Sequence, residues 1–150
     1  MSEIGVRVDH PGWDAALADP IAFARDIAAA ALAAEKIEDG VEILLSGDDE
    51  VQGLNAAWRK KDAPTNVLSF PASKEAGYCG DVVLAFETVH VEAQNQKKSF
   101  AAHAAHLITH GVLHLIGYDH EEDGEAEEME ARERAILAGL GYEDPYSMDV

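Results

Sequence analysis

The chain has 150 residues, enough for one domain with one core, since a chain of this size buries about two thirds of its unfolded surface. Its 29 acidic and 11 basic side chains give a net charge of −18, which argues against a nucleic-acid binder that works through a broadly basic surface. The longest apolar run, Ile27 to Ala34, is too short and alanine-rich to span a bilayer, no basic-then-apolar leader opens the chain, and the single cysteine, Cys79, cannot form an internal disulfide, so a soluble, cytoplasmic protein is expected.

In chain order, Ile4, Val6 and Val8 alternate with polar neighbours as a first strand. Asp19 before Pro20 starts a helix that runs to about Glu35 or Lys36, with aspartate as cap and proline in the first turn. Glu42 to Leu45 is a second strand, and Asp48, Asp49 and Glu50 suit the electropositive start of a helix that carries Leu54, Trp58 and Arg59. Pro64 breaks helical structure, Val67 to Phe70 is a short strand ended by Pro71, and Tyr78 to Gly80 is a turn. Asp81 to Phe86 is a buried, central strand, followed by a helix from about Glu87 to Gln96. Ser99 caps a helix from Phe100 to Ile116, and a last helix spans about Gly124 to Ala138. The order predicts an α+β fold, a single domain over residues 1–150 in which a mixed four-stranded sheet is packed with about five helices.

The chemistry is concentrated in His110-Gly-Val-Leu-His114-Leu-Ile-Gly117-Tyr-Asp-His120, which has the spacing HxxxHxxGxxH. Residues four apart share a helix face, so His110 and His114 can aim at one point. Gly117 can adopt a positive φ, end the helix and return the chain so that His120 supplies a third nitrogen. Three protein ligands leave a fourth tetrahedral position for water, as in catalytic zinc sites. His103 and His106 fall on the same helix face, so His106 with His110 is a rival pair; only His110 and His114 have the glycine and the third histidine at the required distance downstream. His103 and His106 then read as packing or supporting residues. The pattern is the metzincin metal helix with Gly111 where the protease glutamate belongs, which keeps the metal geometry and weakens a peptide-cleaving reading. Asp119 can orient a ligand ring or cap the turn, and the turn is the favoured reading.

This run, together with Arg59-Lys60-Lys61-Asp62-Ala63-Pro64-Thr65-Asn66-Val67-Leu68-Ser69-Phe70-Pro71 and Gly80-Asp81-Val82-Val83, resembles the bacterial YbeY family of zinc-dependent endoribonucleases. Met129-Glu130, Glu133, Ile136-Leu137 and Leu140-Gly141 fit as well, so the similarity runs from about Val41 to Tyr142; the first forty residues match in layout, and Trp58 stands where the family more often has tyrosine. The resemblance implies one YbeY-like metallohydrolase domain that holds one Zn2+ per chain on His110, His114 and His120. It implies single-strand-specific cleavage in ribosomal RNA processing, at the 16S rRNA 3′ end, with ribosomal RNA precursor and small-subunit particles as partners. Arg59 is given the charge-stabilising role from the resemblance and from the need for a cation; a structural salt bridge is its alternative reading. By ligand type alone nickel, iron or copper also suit three histidines. A zinc-bearing assembly factor with little catalysis, or a metallohydrolase of another substrate, stays open beside the nuclease.

Charge then has to be reconciled with RNA. Eight acids against two arginines lie between Glu121 and Arg134, on a helix expected to be remote from RNA or to face basic ribosomal proteins. Arg59, Lys60 and Lys61 form one local basic cluster and Lys97 with Lys98 a second, the lysines reading as plain surface charge.

Overall fold

The computed structural model describes residues 3–61, 63, 65–118 and 123–146. Four strands, β1 (Ile4–Val8), β2 (Gly40–Ser46), β3 (Val67–Pro71) and β4 (Tyr78–Ala85), form one sheet in the order β1-β2-β4-β3. β1, β2 and β4 are parallel, while β3 runs antiparallel to β4 at the edge. The sheet is therefore mixed and four-stranded, as expected. The helices among the described residues are α1 (Pro11–Ala16), α2 (Pro20–Ala34), α3 (Asp48–Arg59), α4 (Phe86–Asn95), α5 (Phe100–Leu115) and α6 (Asp123–Gly139), six rather than about five.

The additional helix is α1, where reading by period finds no element. Six residues opening on Pro-Gly are too few to show a helical period and look like a turn. Its cap is local: His10 Nδ1 accepts from the Gly12 N–H at 2.9 Å. Its anchor is tertiary, since Trp13 is fully buried and donates its indole N–H to the Ser46 carbonyl at 2.9 Å. The caps that the sequence predicts are present: the Asp19 side chain accepts from Ala22 N–H and Ser99 from Ala102 N–H.

Tyr78 to Gly80 is a correction. These residues open β4 instead of forming a turn, and a register shift lies between the pairs Gly40↔Tyr78 and Glu42↔Asp81. Gly80, at φ +143°, is the bulge residue: a Cβ there would lie 2.3 Å from the Phe70 carbonyl oxygen. A glycine that reads as a chain reversal is a place where two backbones approach closely.

One face of the sheet carries the main core. Val41, Ile43 and Leu45 of β2 and Val82 and Leu84 of β4 pack with α2 and α5, and α6 adds Met129, Ile136 and Leu137. The opposite face is covered only in part by α3, through Val51 on Leu68, Val83 and Ala85. Helix α5 lies tightly on the sheet. A Cβ at Gly111 would come within 2.7 Å of Val82 Cγ1, and the Gly111 carbonyl accepts from Ser69 Oγ at 3.1 Å. The glutamate of the protease pattern is absent because position 111 is the contact point of helix and sheet, with no room for a side chain.

Candidate metal centre and cleft

Helix α5 ends as its sequence dictates. Gly117 takes φ +112°, its N–H reaches the His114 carbonyl at 3.2 Å, and the Tyr118 N–H reaches Leu113 at 3.1 Å, the paired bonds of a Schellman stop. The chain thus leaves the helix one residue after its last turn, as the expected ligand geometry needs. His120, expected as the third ligand, and Asp119 lie outside the described residues.

Along the exposed stripe of α5, the rings of His110 and His114 meet edge to face with centroids 4.6 Å apart, whereas His106 and His110 are 6.3 Å apart. Beside them stands a residue the sequence reading placed only within a family block, Glu133. This α6 carboxylate has no exposed surface, and its oxygens accept from His106 Nε2 at 2.6 Å, His110 Nδ1 at 3.0 Å and the Tyr146 hydroxyl at 2.5 Å. Burial pushes its pKa up, but the bonds from His106, His110 and Tyr146 outweigh that and hold it at about 2. An ionised carboxylate only accepts, so the facing ring nitrogens carry the protons. The neutral His110 ring then has its lone pair on Nε2. For His106 the order is reversed: Nε2 donates to Glu133, and the lone pair falls on Nδ1, which is buried and has no hydrogen-bond partner among the described residues.

Two arrangements of donors are therefore present. Ligand atoms of His106, His110 and Glu133 lie within 4.8 Å of one another, so this trio could itself enclose a cation. The other is the pair His110 and His114, with Glu133 behind His110 as the hydrogen-bond acceptor that fixes its tautomer. His103 stays a supporting residue: it is buried, its Nε2 lies 2.8 Å from Glu92, and burial lowers its pKa against the pull of that carboxylate.

The histidine stripe lines a cleft of about 970 Å³ between α5, the end of α4 and β3. Arg59 comes to it from the last turn of α3. Its Nη2 donates to the Ser69 carbonyl at 2.6 Å and its guanidinium lies 5.6 Å from the Phe70 ring, so it covers the open edge of β3. Among the described residues it makes no salt bridge. Lys61 is set by Asn55, whose carbonyl accepts the Lys61 N–H and whose side chain donates to Ala63 O at 2.9 Å. Lys98, expected as plain surface charge, lines the cleft and donates to the Pro145 carbonyl at 2.7 Å. Among the described residues, Arg59, Lys61 and Lys98 thus face the cleft with one lining carboxylate, Glu92, itself bonded to Asn66 and His103. Among the described residues the cleft lining holds more cations than carboxylates, in a chain that is acidic as a whole.

Fold and site together define an α+β protein with a polar, cation-rimmed cleft built on a histidine helix. A family profile described as Endoribonuclease YbeY matches residues 15–141, and the chain belongs to that family. It is 49% identical to the endoribonuclease YbeY of Paramagnetospirillum magneticum, over 96% of this chain and 95% of that protein. It is 51% identical to that of Azorhizobium caulinodans, over 97% of each. The solution structure of TM1509 from Thermotoga maritima shares the fold, with a TM-score of 0.60 at 24% identity, over 97% of this chain and all of that one.

Proposed function

We propose that this protein is a single-strand-specific, metal-dependent endoribonuclease that acts in ribosomal RNA processing, at the 3′ end of 16S rRNA, and thereby in ribosome biogenesis. Its family membership supports the reaction. One observation of the structure carries the substrate: in a protein with a net charge of −18, the described residues that line the cleft of the paired histidines include three cations and one carboxylate, Glu92, with Glu133 buried behind the rings.

The donor set fits zinc, one ion per chain. Two imidazoles side by side, one oriented by a buried carboxylate, are what a borderline-soft divalent cation takes, and His120, three residues after the helix stop at Gly117, is the third ligand of this reading. Such an ion, when bound, supplies an acidified water and polarises a phosphoryl oxygen. The remaining work belongs to the side chains. Glu133 keeps the proton on His110 Nδ1 and the lone pair on Nε2. Tyr146, its phenol raised by burial and by Glu133, stays a hydrogen-bond donor to that carboxylate. Arg59 spends one N–H on Ser69, and its fork has others to offer the charge that builds on a phosphate. Lys61 and Lys98 hold flanking phosphates. Partners of the enzyme are the ribosomal RNA precursor and small-subunit particles, and its acidic exterior suits docking on basic ribosomal proteins.

Precursor RNA, alone and within small-subunit particles, tests this. Tag-free protein is expected to cut it, chelation to stop cleavage, zinc to restore it, and Arg59→Ala to lower kcat by about 100-fold. Metal-replete protein that leaves both forms of precursor intact would contradict the reading.

A further inference from the structure

The partly covered face of the sheet holds a second groove, which the metal chemistry does not use. Val51, Leu54 and Trp58 lie on one stripe of α3 at helical spacing. Val51 is fully buried on the sheet, yet Trp58, at the far end of the stripe, is 72% exposed. Past the part of the sheet that α3 covers, strand register sets Glu42, Asp81 and Phe70 side by side across β2, β4 and β3. These residues, with Trp58, line a groove of about 620 Å³. Arg59, Ser69 and Pro71 line both this groove and the cleft, so the two spaces meet at the edge of β3.

The lining selects its occupant. Neighbouring carboxylates on adjacent strands repel each other and call for hydrogen donors. Tyr78 donates to Asp81 at 3.0 Å, and Arg7, the groove's other cation, is paired with Asp9 at 2.9 Å. A phosphate backbone is excluded from a floor with two carboxylates. A nucleobase fits: its face stacks on the indole, its N–H edge meets the carboxylates, and its phosphate remains outside beside Arg59. Guanine, with adjacent N1–H and N2–H donors, can satisfy a carboxylate twice; uracil offers a single N–H.

We propose that this groove is a base-binding subsite that takes one unpaired nucleotide of the strand lying in the cleft, with guanine preferred to uracil. The proposal rests on the endoribonuclease reading and adds a determinant of where the strand is held. Trp58 stacks on the base, and Glu42 and Asp81 read its edge.

Trp58 also supplies the test. The chain has two tryptophans and the other, Trp13, is fully buried, so quenching of exposed indole fluorescence reports on Trp58. A guanine-containing 2′-O-methyl octamer, which resists cleavage, is expected to quench it and to bind at least about five-fold tighter than an all-uracil octamer. Trp58→Ala is expected to raise KM for RNA cleavage roughly ten-fold with kcat within about two-fold, Trp58→Phe to recover most of the loss, and the double variant Glu42→Gln, Asp81→Asn to abolish the guanine preference. Unchanged KM in Trp58→Ala, equal quenching by both octamers, or quenching by an arginine-rich peptide but not by RNA would overturn the proposal. If wild-type protein neither binds nor cuts RNA, the endoribonuclease reading falls with it; if it does both and Trp58→Ala matches it, only the subsite falls.

Discussion

Glu133 gathers the hydrogen bonds of two histidines and a tyrosine onto one buried carboxylate, and its consequences can be measured at that residue. In the unfolded chain a glutamate titrates near 4.5; here the group is held at about 2. Between those values the unfolded state binds more protons than the folded one, so the stability from this group is complete above about pH 4.5 and is lost as pH falls toward 2. Acid unfolding of metal-free protein, followed by circular dichroism, should show this loss, and Glu133→Gln should flatten it. The same substitution removes the acceptor that fixes His110, so zinc affinity measured by competition with a chelator should fall by about 10- to 100-fold. An unchanged affinity would mean that the carboxylate does not orient the ligand. Sequence alone could not single out Glu133. It is one of eight acids between Glu121 and Arg134, and only the packing of α6 on α5 separates it from those on the solvated face.

Elements with a strong local signal were legible. The capped starts of α2 and α5, the acidic first turn of α3 and the alternation in β1 are written in a few adjacent residues, and the structure has each of them. Helix α1 and the start of β4 were not, because what defines them is distant: Trp13 on Ser46, and the Gly80 bulge against Phe70. The helix end at Gly117 was legible, since a positive φ is what glycine permits. The role of Gly111 was not. Spacing marked it as a missing glutamate, and only the contact between α5 and Val82 explains the vacancy. Gly111→Ala should therefore destabilise the fold by about 1–3 kcal/mol in denaturant unfolding, by overpacking this contact. A neutral effect would mean that α5 can lift from the sheet, and the rigidity ascribed to the histidine helix would be lost.

For the whole molecule, the problem is how a chain with a charge of −18 holds a polyanion. Composition gives the total, whereas the distribution comes from the fold, which brings Arg59 from α3, Lys61 from the following loop and Lys98 from before α5 to one cleft. Three phosphate contacts to a single strand predict a slope of log K against log salt of about −2, and Arg59→Ala should reduce its magnitude by about 0.7. A slope near zero would leave the cleft without a role in RNA binding. No described helix is long and apolar enough to cross a membrane. The ligand set is decided by elemental analysis of protein purified without a histidine tag, on wild type and on single alanine variants of His106, His110, His114 and His120. One zinc atom per chain is expected, lost on substitution of His110, His114 or His120 and kept in His106→Ala. Metal kept without His120 but lost without His106 would contradict it and assign the ion to His106, His110 and Glu133 instead.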